Sequence, residues 1–282
     1  MAWFDEFRGK VVVVTGASSG IGRETALAFG AVGARVALVA RRREALEKVK
    51  RAINQRGGEA VVVPTDVTKR NAVRANLRAV YARWGRIDVV VNSASVLISS
   101  PVLDLKPGDL TAMLNVNLFG ALFVMQEAVQ LMQRQGSGCI VNMASLAGRR
   151  GMPPLGGYCA TKFALVGITE ALRAELHGSD IHVALVMPSV TDTPMAHNPG
   201  LRPLWPGALS LPHSWMVWAV FAAARFQLID ISVPPSAATL EKLAALVPGL
   251  DSSAANWGES ATQWLSNILQ QDTPRTSPGR RA

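Results

Sequence analysis

Two stretches of the chain, Val11-Val12-Val13-Val14 and Val89-Val90-Val91, are apolar at every position rather than at alternate ones. A strand with one face in water alternates. A run with no polar position must be buried on both faces, the pattern of parallel strands covered by helices. Similar Val- and Ile-rich runs recur at residues 10–15, 35–40, 60–64, 87–92, 139–143, 181–187 and 227–233. Between them, residues 23–33, 44–56, 69–84, 110–131, 158–177 and 214–226 read as helices. Strand–helix alternation of this length predicts an α/β fold of βαβ units with right-handed crossovers, wound into one open sheet of seven parallel strands flanked by helices.

This domain spans residues 1–235. Residues 193–212, with five prolines and two glycines, read as an irregular loop after the sixth strand. Past the last strand, Leu240, Leu243, Ala244 and Val247 form one helical stripe, and Trp257, Ala261, Trp264, Leu265 and Ile268 form another. Residues 236–271 are therefore expected to be a C-terminal helical extension of the same domain. Residues 272–282, rich in Pro, Arg and Ser, read as a disordered tail.

The formal net charge is +9. Basic residues are scattered rather than set in a stripe interleaved with aromatics, which argues against nucleic acid. The apolar run 215–224 ends at Arg225, short of a membrane span. Cys139 and Cys159 make neither a disulfide framework nor a metal site, and the four histidines lack metal spacing, so no metal is expected. The acidic start, Met1-Ala2-Trp3-Phe4-Asp5-Glu6, lacks the regions of a signal peptide. A cytoplasmic protein is the expectation.

The first strand runs into Thr15-Gly16-Ala17-Ser18-Ser19-Gly20-Ile21-Gly22 and then a helix. Gly16 permits a tight turn, Gly20 lets a backbone approach a pyrophosphate, and Gly22 lets the helix pack on the sheet, with free N–H groups at its start. Its place between the first strand and the first helix makes a Rossmann-type phosphate cradle the expectation, against a merely tight strand–helix turn. The second strand leads into Arg41-Arg42-Arg43, with no Asp or Glu between Ala34 and Arg43. A carboxylate there would suit a free ribose 2′-hydroxyl, whereas arginine suits a 2′-phosphate, so Arg41 and Arg42 point to NADP(H) ahead of NAD(H). The competing reading is a solvated basic turn.

Tyr158 and Lys162 stand one helical turn apart, where a fixed cation favours the phenolate. Ser145 follows the fifth strand, at the sheet edge where α/β folds place ligands, and its hydroxyl could polarise a carbonyl. Asn117 interrupts an apolar helix. It is either a core amide satisfied by nearby backbone or a kink that holds a relay water.

Taken together, these motifs resemble the short-chain dehydrogenase/reductase family from about Arg8 to Phe226. Further matching elements are Asp66-Val67, Asn92-Ser93-Ala94, Asn117-Leu118 and the stretch from Pro188 to Thr193. The resemblance implies an NAD(P)-dependent oxidoreductase that interconverts a carbonyl and a secondary alcohol. Tyr158 would be the general acid/base, Lys162 would lower its pKa and hold the nicotinamide ribose, Ser145 would steady the substrate oxygen, and Asn117 would position a relay water. The cofactor would lie against Gly16, Ser18, Ser19, Gly20, Ile21 and Gly22, with Asp66 and Val67 at the adenine and Asn92 and Ala94 along its border. Pro188, Val190 and Thr193 would complete its site. The resemblance also implies a homodimer or homotetramer. Two departures stand out: the family's Asn-Asn-Ala-Gly reads Asn92-Ser93-Ala94-Ser95, and its Pro-Gly reads Pro188-Ser189. An NAD-dependent alcohol dehydrogenase of the same fold is the near alternative. A cofactor-binding redox sensor without turnover is the other, and the intact Ser145, Tyr158 and Lys162 argue against it. Met195, His197 and Trp205 in the proline-rich loop, with His213 and Trp215 just past it, suggest a hydrophobic substrate.

Overall fold

The apolar runs become the strands of one seven-stranded parallel sheet of order β3-β2-β1-β4-β5-β6-β7. The computed structural model describes residues 2–189, 195 and 211–234. The strands are β1 (Val11–Thr15), β2 (Arg35–Ala40), β3 (Glu59–Pro64), β4 (Val89–Asn92), β5 (Gly138–Met143), β6 (Ile181–Pro188) and β7 (Asp230–Val233). The helices are α1 (Gly20–Ala31), α2 (Arg43–Asn54), α3 (Arg70–Trp84), α4 (Pro107–Leu114), α5 (Ala121–Gln135), α6 (Gly156–Glu175) and α7 (His213–Phe226). The expected extension at 236–271, the tail at 272–282, and Val190 and Thr193 lie outside the described residues.

Every residue of β1 and of β4 is buried, as their unbroken valine runs require. Alternate side chains serve opposite layers. Val12, Val14, Leu38, Val91 and Val141 pack with Phe29 of α1, Leu46 and Ile53 of α2 and Phe221 of α7. Val11, Val13, Val39, Val90 and Ile140 pack with Leu77 of α3, Val124, Met125 and Leu131 of α5 and Leu165 of α6. The stacked rings of Phe29 and Phe221, with centroids 4.2 Å apart, join the first and last of these helices.

Two boundaries differ from expectation. The last strand begins at Asp230 rather than residue 227, because Gln227 takes a left-handed φ of 53° and ends α7. The helix expected at 110–131 is longer, running without a break from Pro107 to Gln135 with a wide π turn at Asn115–Gly120. By length and composition these 29 residues could cross a membrane, and a third of their most apolar stretch is buried inside the fold. Val124, Met125, Ala128, Leu131 and Met132 face the sheet and α3, which is the ordinary position of a core helix.

Strand order reverses between β1 and β4, so the loops leaving these two strands diverge and open a crevice at their carboxyl ends. The predicted site residues lie around that crevice.

Candidate active site

Thr15, the last residue of β1, ties the crevice together. Its hydroxyl oxygen accepts the Ser93 and Ala94 N–H groups at 3.0 and 3.1 Å and donates to Val91 O at 3.4 Å. Gly16 then turns the chain with φ +69°, and a Cβ there would sit 2.8 Å from the Ser93 carbonyl oxygen. Gly22 packs so closely under this turn that a Cβ would meet Gly16 O at 2.6 Å. Between them, Gly20 and Ile21 open α1. Its N-cap, Ser19, makes no side-chain capping bond, and its first turn carries no acidic residue. The first N–H groups of α1 are thus left unclaimed by any cap, at the positive end of the helix dipole. A cradle a Cβ would fill and an uncapped helix start fit a pyrophosphate.

Arg42, at the residue before α2, donates from Nη2 to Ser18 Oγ at 3.1 Å, which brings a guanidinium to the rim of the glycine turn. Arg41, beside it, is exposed and acts on the Asp66 carboxyl. Burial raises the pKa of that carboxyl, but the Thr68 backbone and hydroxyl donors, with the charges of Arg41 and Lys69, outweigh burial and hold it below its usual range. Val67 is buried against Gly120, where a Cβ would lie 2.7 Å from Val67 Cγ2. Asn92 ends β4 and Ala94 follows it, while Pro188 ends β6.

Tyr158 and Lys162 lie in the first half of α6, both buried. Ser145, two residues past β5, caps a short 3-10 turn at Leu146–Gly148 through its oxygen, which accepts Ala147 N–H at 3.2 Å. Its hydroxyl also reaches Pro188 O at 3.4 Å. The hydroxyls of Ser95 and Ser145 act on the Tyr158 phenol and favour its ionised form. Lys162 Nζ lies 5.5 Å from the centre of the phenol ring and donates to Met143 O at 2.9 Å. Burial pushes the phenol up to about 12 against the two serine hydroxyls, and burial pushes Lys162 down to about 8. The site favours a neutral phenol because a buried phenolate loses its hydration.

Asn117 sits in the π turn, 1% exposed. Its Oδ1 accepts from Val96 N at 2.8 Å and Ser95 Oγ at 3.1 Å, and its Nδ2 donates to Val96 O at 2.9 Å and Thr161 Oγ1 at 3.0 Å. The side chain is thus the satisfied core amide of the first reading, sitting within the kink of the second. It pins the 95–96 loop to α6. Asn117→Ala would strand the Val96 groups and is expected to destabilise the fold by about 2–4 kcal/mol, measured by urea unfolding.

Sequence reasoning missed three other contributors. Thr15 reads as the end of a strand, and nothing in its type marks it as a knot between loops. Asn142 lies inside an apolar strand, where it accepts from Asn92 Nδ2 at 2.8 Å and donates to Thr169 Oγ1 at 2.9 Å, linking β4, β5 and α6. Ser95 carried the one available signal, a side chain where glycine is usual. The wall beside Tyr158 is apolar: Met113, Ala147, Leu155 and Cys159 are buried with it, and Val96, Leu97, Ile98, Leu105 and Met152 pack against them. Among the described residues, no group of three His, Cys, Asp or Glu side chains comes together as a metal site.

The description "short chain dehydrogenase" matches residues 10–201. The chain belongs to the short-chain dehydrogenase family. An uncharacterised oxidoreductase of Staphylococcus saprophyticus is 39% identical over 194 residues, covering 68% of this chain and 78% of that protein. A 3β-hydroxysteroid dehydrogenase of Mediterraneibacter gnavus is 37% identical over 199 residues, covering 70% and 71%. The crystal structure of a 3-ketoacyl-(acyl-carrier-protein) reductase from Brucella melitensis, complexed with NADH, superposes with TM-score 0.74 at 27% identity, covering 80% of this chain and 97% of that one. This dehydrogenase is therefore an oxidoreductase acting on an alcohol or carbonyl group, of a family that uses NAD(P)(H).

Proposed function

We propose that this dehydrogenase interconverts a carbonyl and a secondary alcohol on a hydrophobic small molecule with NADP(H), using Tyr158 as general acid in reduction and general base in oxidation. One observation carries the reading: Tyr158 and Lys162 lie buried one turn apart on α6, with Lys162 Nζ 5.5 Å from the centre of the phenol ring and Ser145 at the carboxyl end of β5. A bound nicotinamide supplies or takes up the hydride. Ser145 and Tyr158 bring two hydroxyls to one point, so a carbonyl oxygen placed there gains hydrogen bonds as it becomes negative. Tyr158 gives that oxygen its proton, and the neutral phenol favoured by burial is the form an acid needs. Lys162, held by Met143 O, keeps an ammonium beside the phenolate that results. In keeping with the family, Lys162 also takes the nicotinamide ribose.

Support for NADP(H) lies in Arg42 on Ser18 and Arg41 near Asp66, with no carboxylate in the preceding strand. Arg41→Asp is expected to weaken NADPH about 10- to 100-fold, the scale of one charged hydrogen bond, with far less loss for NADH. Thermal-shift titrations with both cofactors measure it, and equal losses would remove the preference. The NADH of the B. melitensis relative is the observation behind the alternative, an NAD-dependent enzyme. The apolar wall beside Tyr158 and the 3β-hydroxysteroid activity named for the M. gnavus relative support a hydrophobic ketone or alcohol. A panel of aliphatic ketones, aldehydes and 3-ketosteroids, followed by NADPH absorbance, tests this. Exposed Phe119 and Phe163 support assembly as a homodimer or homotetramer, and two buried free thiols suit a reducing, cytoplasmic setting.

A further inference from the structure

Ser145 follows β5, whereas Tyr158 and Lys162 ride on α6, so their meeting depends on where the helix sits along the strand. Much of what joins these layers is apolar: Leu165 shares a core with Ile140 and Val183, and Val166 shares one with Leu185 and Met187. Burial of this kind has no direction, whereas a buried amide–hydroxyl bond holds only at about 2.7–3.2 Å. Asn142 of β5 makes such a bond with Thr169 of α6, and both are 0% exposed. Its direction follows from Thr169. The Thr169 hydroxyl proton goes to Leu165 O at 2.6 Å, one turn back along α6, so its oxygen accepts Asn142 Nδ2 at 2.9 Å. Asn142 Oδ1 then accepts Asn92 Nδ2 at 2.8 Å, and Asn142 Nδ2 also reaches Met125 Sδ of α5 at 3.1 Å.

We propose that Asn142 and Thr169 are positioning residues for the reaction, a buried pin that sets α6 along β5 so that Tyr158 and Ser145 converge on one substrate oxygen. The inference rests on the reading of Tyr158 as general acid/base. Place in the chain gives the pin its leverage. Ser145 stands three residues past Asn142, and Lys162 stands seven before Thr169, two turns away on the same face of α6. The residue after Asn142 closes the same register a second time, since Met143 O accepts Lys162 Nζ at 2.9 Å. Asn92 extends the pin to β4, the strand that opens the crevice. A small slide of α6 would keep its apolar contacts yet misplace the phenol, and a misplacement of about 1 Å costs up to roughly 10²-fold in rate.

Thr169→Val keeps the branched shape and removes the hydroxyl. Assayed on the ketone panel well below its melting temperature, it is expected to lose about 3- to 30-fold in kcat, with KM for NADPH within about twofold of wild type. Thr169→Ser, which keeps the hydroxyl, is expected to follow wild type. The chain has only two tyrosines, so ¹³Cζ-tyrosine labelling reads the phenol without turnover, and Tyr158→Phe assigns the signals. The Tyr158 signal is expected to move in the valine variant and stay in the serine variant. The double variant Asn142→Leu with Thr169→Val makes both partners apolar, and is expected to regain melting temperature but not kcat. A kcat that recovers together with the melting temperature would make the pair merely structural and overturn the proposal. So would a lower melting temperature with kcat and the Tyr158 signal at wild type, or a serine variant that falls as far as valine. The parent reading fails on a different result: Tyr158→Phe reducing the panel at the wild-type rate removes the acid, while a Tyr158 signal moved by Thr169→Val leaves the pin standing.

Discussion

Tyr158→Phe is expected to lose roughly 10²- to 10⁴-fold of carbonyl reduction, the usual contribution of a positioned general acid. The change removes one oxygen and leaves the ring, which packs with Met113, Ala147, Leu155 and Cys159. It strands neither partner, because Ser145 keeps Ala147 N and Pro188 O, and Ser95 keeps Asn117 Oδ1. The variant should therefore unfold at the wild-type temperature and bind NADPH as before, with the loss confined to kcat. Thermal melts, cofactor titration and NADPH absorbance assays on one preparation separate these quantities. Full turnover with cofactor bound would place the acid elsewhere.

Gly16→Ala is expected to be the most damaging single methyl in the cofactor cradle. It forces an L side chain into a φ of +69° and drives Cβ to within 2.8–2.9 Å of the backbone of Ser93 and Ala94. Those atoms cannot swing aside like the end of a side chain, because Thr15 holds the same loop by two N–H bonds. The combined strain is expected to cost about 2–4 kcal/mol of stability and to lower NADPH affinity. Gly85→Ala is the control: φ is +76° but nothing lies within 4 Å, so only the conformational penalty of about 1 kcal/mol remains. Urea midpoints for the two variants that differ little would show that the clash is relieved at no cost.

Much of this architecture was legible because local patterns carry it. Unbroken valine runs announced strands buried on both faces, and Val11–Val14 and Val89–Val91 are buried at every position. Glycine spacing after the first strand located the cradle, and the Tyr158–Lys162 spacing put phenol and ammonium together. Boundaries were less legible: Gln227 sits inside an apolar-looking run, and its left-handed φ, set by how α7 must end, does not show in its residue type. The polar contacts were least legible. Ser95 lies 22 residues from Asn117 along the chain and Asn92 lies 50 from Asn142, and no local period relates such pairs.

The +9 charge illustrates the same division. Counting could not say whether it served nucleic acid, membrane or small anion. The fold sets Arg42 on Ser18 at the rim of the glycine turn and ties others into ion pairs, such as Arg78 with the buried Glu127 and Arg173 with Asp230. Sequence alone determined the layers and the glycine turn and named the candidate reacting groups, because these follow from periodicity and residue chemistry. Tertiary structure alone decided the burial of Tyr158 and the side chains set around it. Burial and direction are properties of the surroundings, and the surroundings of that phenol come from the loop after β4, the π turn and the turn after β5.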